Sequence, residues 1–245
     1  MKKIYLRLTT IMMIFIMVSC DPATINGILE GVQTSPALTN EEVIQGLREA
    51  LKVGTNKAVT LTSATDGFWK NSIIRIPFPE EAIKVKNAAV SLGLINQVQT
   101  FEMNLNRAAE RASKEAAQVF VNAITQMTIE DGFRILKGDS TAATSYLKQT
   151  TTAELKQKFT PIVQKAIDEV KLTSFYEPLA NAYNTSTILT GGEAVNPDLT
   201  AYVTGKALDG LFYHIALEEK KIRKDPAARV SEILRKVFGS LDKPQ

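Results

Sequence analysis

The chain predicts an all-α fold: a single multi-helix, bundle-like domain with one long central helix. Three observations carry this. Cap patterns such as Thr39-Asn-Glu-Glu42 stand directly before runs with apolar residues three and four apart. One such run, Ile95 to Met127, is long enough for a helix of about 50 Å. No long stretch alternates apolar and polar residues as a half-buried strand does. Only Ser72–Ile76 and Ser186–Leu189 are candidates for short extended pieces.

The first element is a leader. Lys2, Lys3 and Arg7 form a basic start, and Ile11 to Val18 is an apolar run shorter than the roughly 20 residues of a membrane span. Small Ser19 then precedes Cys20, the only cysteine of the 245-residue chain. Met17-Val18-Ser19-Cys20 resembles the lipobox of bacterial lipoproteins, although leucine is commoner at the position of Met17. That resemblance implies cleavage before Cys20 and a lipid on its thiol. It makes residues 1–19 a signal peptide and residues 20–38 a lipidated tether, with Gly27, Gly31, Ser35 and Pro36. It also implies a location in the bacterial cell envelope. The outer membrane, facing the periplasm, is favoured and the inner membrane stays open, since Asp21 retains some lipoproteins there. Several acyl chains at about 0.8 kcal/mol per buried methylene make such an anchor effectively permanent.

Removal of the leader changes the charge balance. The chain has 29 Lys+Arg and 26 Asp+Glu. The leader carries three basic residues and no acidic one, which leaves 26 of each. A neutral mature chain argues against nucleic acid as a partner. Without a second cysteine there is no internal disulfide, and an acylated Cys20 leaves no thiolate nucleophile. An apolar content of 44% suffices for a core.

The helical domain is expected over 39–240, with a tail at 241–245. The Thr39 box opens a helix with Val43, Ile44, Leu47, Ala50 and Leu51 inward, faltering near Gly54. A turn-rich stretch runs from Ser63 to Pro79, and Pro79-Glu80-Glu81 reads as a first helical turn. In the long helix Val98, Phe101, Leu105, Ala108, Ala112, Ala116, Val119, Ala123 and Met127 share one stripe. Thr128-Ile-Glu-Asp131 restarts the chain, with short helices near Ile129–Leu136 and Ser140–Lys148. Thr151-Thr-Ala-Glu154 predicts a further helix towards Val170, kinked or divided at Pro161. Phe175–Tyr183 is a short helix candidate, and Thr185–Val195 with Gly191-Gly192 a loop. Asn196-Pro197 caps a helix that buries Ala207, Leu208, Leu211, Phe212, Ile215 and Ala216. Asp225-Pro226 ends it and caps a last one, with Val230, Ile233, Leu234 and Val237 inward and Gly239 at its stop.

Six phrases taken together resemble one bacterial family: Asp66-Gly67-Phe68, Arg75-Ile-Pro-Phe-Pro79, Leu105-Asn-Arg-Ala-Ala-Glu110, Gln126-Met-Thr-Ile-Glu-Asp131, Ala201 to Phe212, and Ile222-Arg-Lys-Asp-Pro226. The chain is similar over nearly all of its mature length to the domain of unknown function 4197. The resemblance implies a helical fold and an envelope location, and it brings no activity, cofactor or catalytic residue. His214 stands where relatives are expected to carry an apolar residue.

The remaining chemistry is sparse. His214 and Glu218 share a helix face, but a tight zinc site needs three or four ligands, so neither metal nor cofactor is expected. No Gly-x-Ser-x-Gly elbow, P-loop or dinucleotide fingerprint is present. Glu218-Glu-Lys-Lys-Ile-Arg-Lys224 reads as a solvated face. Asn104, Arg107 and Arg111 lie along one side of the long helix, with Glu110 able to pair with Lys114. Arg75 sits among Ile73, Ile74, Ile76 and Phe78, is expected to be drawn inward, and then requires a partner, with Asp131 and Asp209 as candidates. These residues form either a structural polar network or a site for an anionic ligand.

Three functions follow as expectations. The first is a membrane-anchored envelope lipoprotein with structural, assembly or binding work, partnered by the membrane and an envelope protein. The second is a carrier of a small amphiphilic molecule in a cavity lined by Phe101, Phe120 and Phe212. The third is a hydrolase using Glu110, Glu130, Asp131 and Asp209, two of which must then converge in a cleft.

Overall fold

The computed structural model describes residues 38–80, 83–169, 172–191, 194–195 and 198–242. The leader, Cys20 and the tether up to residue 37 lie outside them, as do Glu81, Gly192 and Asn196-Pro197. All regular structure among the described residues is helical: α1 (Asn40–Ser63), α2 (Ile83–Ser91), α3 (Ile95–Ser113), α4 (Ala116–Gln126), α5 (Ile129–Lys137), α6 (Ala142–Glu169), α7 (Leu172–Thr190), α8 (Thr200–Lys224), a 3-10 turn at Pro226–Ala228, and α9 (Glu232–Gly239). The all-α, bundle-like fold is as the sequence predicts.

The first cap forms as written. Thr39 Oγ1 accepts from the Glu42 amide, and Glu42 returns a bond to the Thr39 amide. The Thr128–Asp131 pair repeats this at α5. Gly54 does not interrupt α1; it is buried, and the Cβ of Glu218 lies 3.7 Å from where its own Cβ would be. A methyl there would make only ordinary contact with α8.

The expected long helix is broken. The Ile95–Met127 stripe is divided between α3 and α4 by a turn at Lys114–Glu115. The Glu115 amide bonds to Ala112 three residues back, and Ser113 Oγ bonds to the Ala109 carbonyl. Such hydroxyl back-bonding bends helices. The central position belongs instead to α8, which packs against α1, α3, α6 and α9. Its Val203, Ala207, Leu211 and Ile215 are buried, while Ala216 of the expected stripe is only half-buried.

Two expected helices are one. Thr151 is no cap; it is buried inside α6 and donates to the Leu147 carbonyl. Pro161 lies within α6 without dividing it. Pro161 and Gln157, whose carbonyl loses its helical partner, both face outward, so water can satisfy that group. The loop and extended piece expected around Thr185–Leu189 are helical in α7. Asn184 then bridges to Val195 with both amide atoms. Ser72–Ile76 forms turns rather than a strand. At the C-terminal end Asp225 caps the 3-10 turn, and Ser231 caps α9. Val230 is exposed, contrary to its expected inward position. Gly239 lies within α9, whose stop is at Ser240.

Candidate functional site

The polar residues singled out by the sequence gather where the irregular segment Ala64–Pro79 crosses α3. The segment starts with a tight turn. Asp66 has φ 70°, and the Gly67 amide donates to the Ala64 carbonyl. A Cβ at Gly67 would stand 2.2 Å from the Leu61 carbonyl oxygen, so only glycine fits. The turn drives Phe68 into the core, where it is fully buried. Its ring lies 2.7 Å from the position of a Cβ on Gly210. The glycine beside Asp209 therefore admits an aromatic ring.

One stripe of α3 fastens this segment. Glu110 Oε1 accepts from the amides of Phe68 (3.1 Å) and Trp69 (3.2 Å). Its Oε2 accepts from Arg107 Nη1 at 2.6 Å, and Arg107 Nη2 donates to Asp66. One turn earlier, Asn106 is fully buried; its Oδ1 accepts from the Ile76 amide and its Nδ2 donates to the Ile76 and Glu102 carbonyls. Glu102, one turn earlier again, receives Arg75 Nη2 at 3.0 Å and Lys86 Nζ at 2.6 Å. The Arg75 guanidinium also lies 3.9 Å from the Trp69 ring centre. Asn71 closes the segment by accepting from the Ile73 and Ile74 amides, while its Nδ2 meets His214 Nε2 at 3.3 Å. In that pairing Nε2 is the acceptor, which assigns the proton of a neutral ring to Nδ1. Burial lowers the His214 pKa and Lys221 lowers it further, against Glu218, which raises it.

The structure brings together Arg75, Arg107 and Glu110 of the expected set and leaves out the rest. Arg75 is exposed rather than drawn inward, and its carboxylate partner is Glu102, not Asp131 or Asp209. Asp131 serves the α5 cap and Arg134, and the Thr128 contacts hold its pKa below the ordinary value. Asp209 and Glu130 are exposed, on α8 and α5. Glu110 pairs with Arg107 instead of Lys114. Asn104 is half-buried and stands outside the network. Asp66, Glu102 and Asn106 were missed. Glu102, Asn106 and Glu110 recur every four residues beside the apolar stripe, a signal available in the sequence.

The run after His214 is not a solvated face. Glu218 and Glu219 are buried. Glu218 pairs with Lys57 and Lys221. Burial raises its pKa, but the Lys221 and Lys57 bonds outweigh that and leave it lowered. Glu219 accepts from the Ala143 and Thr144 amides at the start of α6, and Arg223 ties it to the Ile135 and Leu136 carbonyls. Buried Arg229 caps the end of α8 through the Ile222 and Arg223 carbonyls and pairs with Asp242.

These arrangements bind backbone to side chain. The guanidinium of Arg107 is held between two carboxylates, so an anionic ligand would have to displace an internal acid. Among the described residues no three His, Cys, Asp or Glu side chains are grouped to hold a metal. The rings expected to line a ligand cavity pack on other rings: Phe101 on Phe78 (4.8 Å) and Tyr176 (5.4 Å), Phe120 on Phe212 (6.0 Å). An apolar cavity between α1, α6, α8 and α9, bounded by Leu47, Gly54, Ala143, Ile215 and Phe238, holds about 20 Å³, room for a water molecule. Shallow surface grooves of about 340 and 240 Å³ flank Tyr146. No described helix is long and apolar enough to cross a membrane.

No curated protein and no solved structure matches the chain. A family model does, over residues 37–239, and it spans every helix described above. The chain thus belongs to the family described as protein of unknown function, DUF4197.

Proposed function

We propose that this protein is a lipid-anchored lipoprotein of the bacterial cell envelope, whose helical domain does structural, assembly or binding work rather than catalysis. The observation that carries the reading is Met17-Val18-Ser19-Cys20 behind a basic and apolar leader, with Cys20 the only cysteine. The outer membrane, facing the periplasm, is the favoured site. Two features of the domain support the non-catalytic part. Glu110 and Asp131 are each committed to backbone amides and an arginine. The aromatic side chains proposed to enclose a small molecule fill their own space instead.

The test is metabolic labelling with an alkyne-bearing palmitate, followed by fractionation. The wild-type chain should take up label and sediment with membranes. Cys20→Ser should take up none and keep its leader. Equal labelling of both chains overturns the reading.

A further inference from the structure

We propose that Asn71 and His214 form an acid-sensitive latch, which holds the turn Asn71–Arg75 against α8 while the ring is neutral and releases it when the ring takes a proton. The turn is tied together through Asn71. Its amide donates to the Phe68 carbonyl, its carbonyl accepts from the Arg75 amide at 2.9 Å, and its Oδ1 accepts from the Ile73 and Ile74 amides. Those two amides fix which end of the side-chain amide is oxygen, so Nδ2, a donor, faces His214. A neutral ring meets it with the Nε2 lone pair. A protonated ring carries hydrogen on both nitrogens and sets donor against donor at 3.3 Å. Turning the Asn71 amide over gives no relief, because its NH2 would then face the Ile73 and Ile74 amides. The contact has to open.

The clamps on α3 confine the opening. Glu110 holds the Phe68 and Trp69 amides on one side, and Asn106 holds the Ile76 amide on the other. Between them Ile74 is 7% exposed, and its Cβ lies 3.1 Å from where a Cβ on Gly210 would stand, so it packs on α8. Lifting the turn uncovers Ile74 beside Ile73, already 65% exposed, and draws Arg75 off the Trp69 ring. On α8, Glu218 and Lys221 act on the imidazole in opposite senses. Lys57 of α1 is bonded to Glu218, and on the side of the turn Lys70 is bonded to Asp66. With burial added, the ring stays neutral above its ordinary value of 6.5, and the latch is closed there.

The chain has one histidine and one tryptophan, so the ring and the turn each carry their own reporter. The test takes the full chain in detergent from about pH 8 to about pH 5, with NMR of the His214 ring, Trp69 emission and amide hydrogen exchange. At the alkaline end the ring should carry its proton on Nδ1. As it titrates, Trp69 emission should change with the same midpoint. Protection of the Ile73 and Ile74 amides should fall by up to about tenfold per pH unit, while the Phe68, Trp69 and Ile76 amides stay protected. Asn71→Asp keeps an oxygen for Ile73 and Ile74 and turns the other to the ring, so it should raise the His214 midpoint and remove the emission step. His214→Gln offers a carbonyl that does not titrate and should hold emission constant. A proton on Nε2 at the alkaline end overturns the latch. So does a ring that titrates while emission and Ile73 protection stay flat, a midpoint unmoved by Asn71→Asp, or an emission step that persists in His214→Gln. Loss of protection at Phe68 and Ile76 together with Ile73 overturns it too, because acid then unfolds the whole segment.

Discussion

Replacing Glu110 tests whether the polar cluster on α3 is a clamp. Its carboxylate is 4% exposed and holds three donors: the Phe68 amide, the Trp69 amide and Arg107. Glu110→Leu leaves the two amides without an acceptor and takes one of two acidic partners from Arg107. A buried donor left unpaired costs about 1–3 kcal/mol. Breaking a buried charged pair costs about 3–5 kcal/mol. Since the Arg107 side chain keeps Asp66 and is 28% exposed, the low end applies to it. Two amides at about 1 kcal/mol each and the pair at about 3 kcal/mol give about 5 kcal/mol for Glu110→Leu. Glu110→Gln keeps one carbonyl oxygen for the two amides but sets its NH2, a donor, against Arg107 Nη1, so that bond is lost, for about 1.5–3 kcal/mol. Urea denaturation followed by circular dichroism, with the m-value checked for constancy, reads both. Wild type, Gln and Leu should rank in that order. A Leu variant within about 1 kcal/mol of wild type, or more stable than it, would refute the reasoning. It would mean that the carboxylate is kept at a stability cost, as functional groups often are.

Other outcomes follow from the same packing. Gly210→Ala brings a methyl within 2.7 Å of the Phe68 ring and 3.1 Å of Ile74, and overpacking should cost about 1–3 kcal/mol in the urea midpoint. His214 has a lowered pKa in the fold, so the unfolded chain binds its proton first. Its contribution is intact above the ordinary value of 6.5 and is lost as pH falls below it. His214→Gln should flatten the stability profile between pH 7 and about pH 5; an unchanged profile counts against the burial of the ring. Glu218, with its pKa lowered from 4.5, loses its contribution only below that value. Glu218→Gln should deepen the His214 step, because its charge raises that pKa, and reduce the fall below pH 4.5. Arg229→Met should lower stability by about 2–4 kcal/mol, because the last carbonyls of α8 lose their donor in a buried setting.

The helices were legible where caps and stripes agree. Thr39 with Glu42 and Thr128 with Asp131 form as their spacing demands. The same spacing misleads at Thr151, where the hydroxyl turns back to Leu147 inside α6 and the local pattern cannot tell the two uses apart. The break at Lys114–Glu115 is hidden because the alanine stripe continues in phase across it. Of the polar cluster, Arg75, Arg107 and Glu110 were visible, but their partners were not. Asp66 approaches Arg107 only after the Gly67 turn has formed, and Glu102 meets Arg75 only once Ala64–Pro79 crosses α3. Glu218 and Glu219 look solvated in a mixed-charge run. They are buried because Lys57 reaches Glu218 from α1 and the bare amides of α6 point at Glu219.

The most direct measurement is the intact mass of the protein extracted from its native membranes, with the N-terminal peptide sequenced. The account predicts a chain that begins at Cys20 and carries the mass of its acyl groups on that residue. A chain that keeps Met1 to Ser19, or begins elsewhere with an unmodified sulfur, would contradict it.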